Sequence, residues 1–229
     1  MTGAHVHGCD RPPVLEARDL YRFYHAGDDE TLALRGVSLS ASPGEIVAVT
    51  GPSGSGKSTL LACIAGLDEP DGGTVRVAGE VMSRRPEVVR AALRSKAVGM
   101  LFQYGNLLDH LTVEQNIVLA QRLAGRVHRG RVAALLAEVG LADRASARPA
   151  SLSGGEAARA GLAVALANEP VLILADEPTG ELDEVTAQRI MDLLGRHASQ
   201  GAAILIVTHN AHVACEADRR ITMADGRVI

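Results

Sequence analysis

The run Gly51-Pro52-Ser53-Gly54-Ser55-Gly56-Lys57-Ser58-Thr59 sits between an apolar segment, Ile46-Val47-Ala48-Val49-Thr50, and a helical one, LLACIAGL. Strand, glycine-rich loop and helix in that order, with the spacing G-x-x-x-x-G-K-[ST], point to a loop that wraps a phosphate chain. Glycines let successive backbone N–H groups turn inward into a nest that a Cβ would obstruct. The helix that begins near Lys57 aims the positive end of its dipole at the same point. Lys57 brings an ammonium to the β- and γ-phosphates, and the Ser58 hydroxyl is placed to ligate Mg²⁺. The competing reading is a turn that only joins strand to helix. Lys57 weighs against it, because Lys96 is the only other lysine among 23 basic residues.

Phosphate chemistry of this kind needs an acidic group at the end of a buried strand. Val171-Leu172-Ile173-Leu174-Ala175-Asp176-Glu177 supplies one. Asp176 would hold Mg²⁺ through water, and Glu177 would orient or deprotonate an attacking water. Helix N-caps also produce an apolar strand ending in two acids, so the pair takes its meaning from the loop at 51–59.

Short apolar runs alternate with helical patterns along the rest of the chain. Strands are expected at 14–20, 46–50, 74–77, 98–102, 171–175, 203–208 and 219–224. Those at 46, 171 and 203 are apolar nearly throughout, as strands covered on both faces of a parallel sheet are. Helical spacing marks Val132, Leu135, Leu136 and Val139, and again Thr186, Ile190, Leu193 and Leu194. Asp225-Gly226 reads as a two-residue hairpin turn. No strand is evident between about 105 and 167. The expected fold is α/β: a phosphate-loop core with a mostly parallel central sheet and antiparallel edge strands, interrupted by an inserted α-helical subdomain. The core covers about 14–104 and 168–229, the helical subdomain about 105–167, and residues 1–13 form a tail. His5, His7 and Cys9 in that tail lack a fourth ligand and read as incidental rather than as a metal site.

Composition narrows the function. With 229 residues, 47% apolar and 22% charged, the chain is ordinary globular material. Aromatics are only 2%, so Ala, Val and Leu must fill the core. A net charge of −4 without a basic run argues against a nucleic-acid partner. Three cysteines without a C-x-x-C pair suit a reducing compartment. No apolar run approaches the ~18 residues of a membrane span, and Met1–Pro13 lacks a signal-peptide core. The expectation is a cytoplasmic protein with no direct membrane insertion, which would serve a membrane only through a partner.

Leu152-Ser153-Gly154-Gly155-Glu156, shortly before the acidic strand, takes the chain beyond generic nucleotide binding. From Val14 to Ile229 it resembles the ATP-binding subunits of ABC-type ATPases. IAGLDEPDGGTVRVAG, VGMLFQYGNLLDHLTVEQNI, ADEPTGELD and IVTHN place the resemblance in the lipoprotein-releasing and macrolide-export branch, which also holds a cell-division ATPase. The resemblance implies an Mg²⁺-dependent ATPase with Lys57, Gln103, Glu177 and His209 as its catalytic set. Ser58, Gln103 and Asp176 would hold the metal. Tyr24 would stack on adenine, with Tyr21 and Phe23 as competitors and an ordinary sheet-edge tyrosine as the alternative. His209 would contact the γ-phosphate, and Gln103 would link core to helical lobe.

Ser153, Gly154 and Gly155 open a helix and so present a hydroxyl, N–H groups and a dipole to an anion. One chain already has a phosphate loop, so this second cradle is surplus unless it serves another chain's ATP. The resemblance implies that it does. In a head-to-tail homodimer, Ser153, Gly154, Gly155, Glu156 and Asp183 would reach the ATP bound by the partner. The chain departs from the family pattern at Ala157 and Ala158 (usually two Gln), Val164 (usually Arg), Glu181 (usually small or amide) and Asn210 (usually Asp). These bear on dimer closure and rate. Glu181 would repel the phosphates across the interface unless a cation, such as an arginine, balances it.

The implied partner is an integral-membrane permease, powered in the export or extraction of lipoprotein, peptide, drug or lipid. The subunit would then sit at the inner face of the plasma membrane through that permease. The alternative is a cell-division-type regulatory ATPase that gates a membrane protein and a cell-wall hydrolase without transport. A soluble ATPase acting on DNA or ribosomes would carry a second ATPase domain or a coiled coil. The permease contact is expected just after Gln103, where Leu107, Leu108 and Leu111 fall on one side of a helical turn. They would be either lobe core or a groove that receives a short permease helix.

Overall fold

The computed structural model describes residues 12–26 and 29–229, by backbone alone at 25, 26, 29 and 30. His5, His7 and Cys9 lie outside the described residues. In chain order the strands are β1 (Leu15–Ala26), β2 (Asp29–Ala41), β3 (Ile46–Thr50), β4 (Gly72–Val77), β5 (Glu80–Val81), β6 (Val98–Leu101), β7 (Leu172–Asp176), β8 (Ala203–Val207), β9 (Arg219–Ala224) and β10 (Arg227–Val228). The helices are α1 (Lys57–Ile64), α2 (Glu87–Ala97), α3 (Val113–Leu123), α4 (Arg129–Glu138), α5 (Gly154–Ala165), α6 (Glu184–Ser199) and α7 (Ala211–Glu216). No helix among the described residues is long and apolar enough to cross a membrane.

Two sheets form the core. The larger has the order β10-β9-β3-β8-β7-β6, parallel from β9 to β6, and β10 returns antiparallel after the Asp225-Gly226 turn. The smaller, β2-β1-β4-β5, is antiparallel. Successive side chains of β7 and β8 serve different cores, which is why both runs are apolar throughout. Leu172, Leu174, Leu205 and Val207 pack with α1 and the smaller sheet. Ile173, Ala175, Ile204 and Ile206 pack with α3, α4, α5 and α6. Cys63 and Cys215 are free thiols. Burial on α1 pushes the Cys63 thiol up to about 12, out of reach of redox chemistry at neutral pH.

The smaller sheet corrects the sequence reading at two points. β1 runs on past Leu20 to Ala26, and the whole of β2 lay unrecognised. Both strands carry β-bulges: the pairs step from Ala17↔Leu39 to Leu20↔Val37, then to Tyr21↔Arg35. Asp19 (φ 49°) and Gly36 (φ 78°) sit at those steps. Each bulge shifts the inward-facing positions by one residue and breaks the period-2 alternation that identifies a strand.

The segment after Gln103 is the other correction. Residues 102–112 form no helix, only bends and a turn closed by the Leu111 N–H donating to the Leu108 carbonyl. The buried Asn116 side chain on α3 holds this segment, accepting from the Leu108 N–H (2.8 Å) and donating to the Leu108 and Thr112 carbonyls. The leucines therefore part company. Leu107 packs against the helical core, while Leu108 is 45% exposed.

Candidate active site

β3 ends at Thr50, and the chain turns through Gly51–Gly56 into α1. Gly51 (φ 148°) and Gly56 (φ 95°) have torsions that side chains rarely adopt, and a Cβ at either would strike the carbonyl oxygen of Met223 or Ala33. Ser55 is buried beneath the loop. The Lys57 ammonium donates to the carbonyls of Gly51 (2.9 Å) and Pro52 (2.8 Å), with Ser55 Oγ at 3.5 Å. Gly56 caps α1 without a side-chain bond, which leaves first-turn N–H groups available to an anion.

A cavity of about 600 Å³ opens over this loop. Its wall brings together Tyr24, Gly51, Ser53, Gly54, Gly56, Lys57, Ser58 and Thr59 with Gln103, Asp176, Glu177 and His209. Pro52 and Ser55 support the loop from outside that wall. Burial lifts the Asp176 carboxyl above its ordinary value against the pull of a Ser58 hydrogen bond; the neighbouring Glu177 charge adds to the rise and Lys57 opposes it. A half-buried carboxylate beside a hydroxyl fits a divalent cation. Among the described residues no group of three or more His, Cys, Asp or Glu could hold a metal. An ion here would take its remaining ligands from phosphate oxygens and water, as Mg²⁺ does.

Glu177 follows β7 at φ 47°, a strained torsion for a side chain with a Cβ. Its carboxylate accepts from Thr208 Oγ1 (3.0 Å), the His209 N–H (2.9 Å) and His209 Nδ1 (2.7 Å). A carboxylate has about four acceptor sites, so these three bonds fix its orientation and leave room for one more donor. His209 is 72% exposed on its side chain and leans on Glu177 through Nδ1, which turns its other nitrogen outward.

Of the three aromatic candidates on β1, Tyr24 lines the cavity, while Tyr21 packs over Gly36 and Gly72. The Tyr24 hydroxyl donates to Asp68 (2.7 Å), and the Arg22 guanidinium lies 4.7 Å from the centre of its ring. Arg22 also binds Asp68 (2.9 Å) and Asp71 (3.1 Å). Although burial works the other way, the Tyr24 and Arg22 bonds hold Asp68 below the usual carboxylate range. This network was not foreseen, although Asp68 and Asp71 stand in the GLDEPDGG stretch.

Gln103 lines the same cavity and lies 3.4 Å from the Tyr104 hydroxyl. Tyr104 donates to Glu181, and that bond raises its pKa. The side-chain partner of Glu181 is thus a neutral phenol from the neighbouring loop and not a cation, so its charge is not balanced there. Ser153, Gly154, Gly155, Glu156 and Asp183 lie off the cavity wall. Ser153 caps α5 by accepting from the Glu156 N–H (3.2 Å), and Glu156 accepts from the Ser153 N–H (2.8 Å) and from Arg144 (3.0 Å). The Ser153 N–H bond and then Arg144 hold Glu156 below its ordinary pKa. Asp183 caps α6 through the Thr186 N–H and hydroxyl, and Thr186 in turn sits against Gly155. The local role of Glu156 and Asp183 is therefore to set the two helix starts side by side, with Ser153 and Gly154 exposed.

Comparison with known proteins agrees with this geometry. The family described as ABC transporter matches residues 34–180. The lipoprotein-releasing system ATP-binding protein LolD 1 of Caulobacter vibrioides is 43% identical over 220 residues, 94% of each chain. The macrolide export ATP-binding/permease protein MacB of Escherichia coli K12 is 42% identical over 220 residues, and this chain spans about a third (34%) of its length. Among solved structures, the dimeric ATP-binding cassette MJ0796 bound to ADP and Pi superposes with a TM-score of 0.88 at 35% identity, covering 93% of this chain and 96% of the other. The fold, the phosphate loop and the sequence likeness converge: this chain belongs to the ABC transporter family, as one of its ATP-binding cassettes.

Proposed function

We propose that this chain is an Mg²⁺-dependent ATPase subunit that works as a homodimer and powers a separate membrane permease in lipoprotein release or small-molecule export. The observation that carries the reading is the convergence of Lys57, Asp176, Glu177 and His209 on one cavity above a helix N-terminus. The relatives described above are named for lipoprotein release and macrolide export, which favours transport over the regulatory alternative. Residues 14–104 and 168–229 would form the ATP-binding core and 105–167 the lobe that meets the permease, with the subunit held at the cytoplasmic face of the membrane.

The loop N–H groups and Lys57 bind the β- and γ-phosphates, Lys57 exchanging two carbonyls for phosphate oxygens. Tyr24, braced by Asp68, offers its ring to the adenine. Ser58, Asp176 and Gln103 would hold Mg²⁺, whose charge would offset that of the phosphates. Glu177 uses its remaining acceptor site to orient a water and take its proton. His209 is aimed at the γ-phosphate by its bond to Glu177. Ser153 and Gly154, with their helix dipole, complete the partner's site. Glu177→Gln tests the assignment, since it keeps the acceptor oxygen but not the base. ATP binding should persist, turnover should fall by about 10²–10⁴-fold, and ATP should trap the dimer in size-exclusion chromatography. Unchanged turnover would remove Glu177 from the role.

A further inference from the structure

Between Glu114 and Glu138 there is no acidic residue, while Arg122, Arg126, Arg129, Arg131 and His128 crowd into ten positions. Averaging over a chain of net charge −4 conceals this stretch. It spans the end of α3, the connecting loop and the first turn of α4. The loop is pinned: the buried Gln121 side chain accepts from the His128 N–H (2.9 Å) and donates to the Ala167 carbonyl (3.1 Å). Arg131 lies near Glu169 (3.6 Å) and Glu138 (4.0 Å). Among the described residues Arg122, Arg126 and Arg129 pair with no carboxylate. The α4 N-terminus has no side-chain cap, so its dipole adds to the same positive field. Between the arginines stand two exposed apolar side chains, Leu123 (71%) and Val127 (41%).

Cationic side chains alone would describe an anion site. Interleaved with an exposed Leu and Val on a loop held by Gln121, they match an interfacial surface, where guanidinium groups meet headgroups and apolar side chains reach the acyl boundary. No Phe, Tyr or Trp stands among them to stack on a base, which disfavours single-stranded nucleic acid. We propose that the loop between α3 and α4 is a contact surface for an anionic lipid membrane, supplementing the contact made through the permease. The proposal rests on the permease-coupled reading only in that this reading brings a bilayer near. α3 starts just after the Gln103 segment and is about 16 Å long, so a permease seated there leaves the loop one helix length away.

The test uses the full chain without a permease, so its outcome is separate from that of coupling. Vesicles of phosphatidylcholine, with or without phosphatidylglycerol, are floated with the protein at low and high salt. Wild type should float with the anionic vesicles only, and less at high salt. The triple variant Arg122→Gln/Arg126→Gln/Arg129→Gln should partition about a hundredfold more weakly, from the usual contribution of each near-surface arginine, with ATPase turnover unchanged. Leu123→Ser/Val127→Ser should weaken flotation as well. Equal partitioning of wild type and triple variant overturns the proposal. So does arginine-dependent binding of inorganic polyphosphate or duplex DNA without vesicle binding.

Discussion

Burial holds the Asp176 carboxyl above its ordinary value, and the effect on stability has a definite sign. In the unfolded chain an aspartate titrates near pH ~3.9. Above its raised folded pKa the group is ionised in both states, and the folded chain carries the full cost of a poorly solvated charge. As pH falls through the folded value towards the unfolded one, that cost disappears. Asp176→Asn should therefore raise the urea midpoint of the nucleotide-free protein at neutral pH, and the gain should shrink towards zero as pH approaches ~4. A gain that does not change with pH would mean that packing, not charge, is responsible. Glu177 shows a related tension in its backbone, where a left-handed torsion aims a carboxylate that three donors then hold. Neither strain nor burial cost can be read from ILADEP as letters; the chemistry of the acids can.

The elements were legible where a regular pattern survived. β3, β7 and β8 announced themselves because both faces are covered, and α6 because its apolar positions keep helical spacing. β2 hid because a bulge at Gly36 put its inward residues out of step, and the continuation of β1 hid for the same reason at Asp19. The turn from β3 into α1 was readable at its glycines, since the torsions and close approaches at Gly51 and Gly56 require them. The Tyr24–Asp68–Arg22 and Tyr104–Glu181 contacts were not, since each joins residues far apart in the chain. The leucines after Gln103 illustrate the limit. Spacing put Leu107 and Leu108 on a common face, but the Asn116 clasp replaces the helix with a bent segment that packs one, partly buried, against the helical core and exposes the other. Leu107→Asp should lower stability by about 2–4 kcal/mol, as losing an apolar core contact does, seen as a lower denaturant midpoint. Leu108→Asp should leave the fold and ATP binding intact and weaken co-purification with the permease. Equal destabilisation by both would return Leu108 to the core.

At the scale of the whole molecule, the exposed start of α5 lies off the cavity that holds Lys57, so in the proposed homodimer each chain would carry one half of two different sites. Chains with Lys57→Ala and chains with Ser153→Arg should each be inactive alone. Mixed together, they should regain activity, because one heterodimer interface then unites an intact loop with an intact signature. No activity above either parent, with heterodimers present, would exclude shared sites. The central strand that leads to the acids also has a consequence for descent. Leu172 and Leu174 answer to one core, Ile173 and Ala175 to the other, and the two sets meet only through the backbone of β7. Selection can therefore redraw the helical side, position by alternate position, while the nucleotide side is inherited unchanged. A lineage built on such a strand can acquire new membrane partners without reinventing its engine.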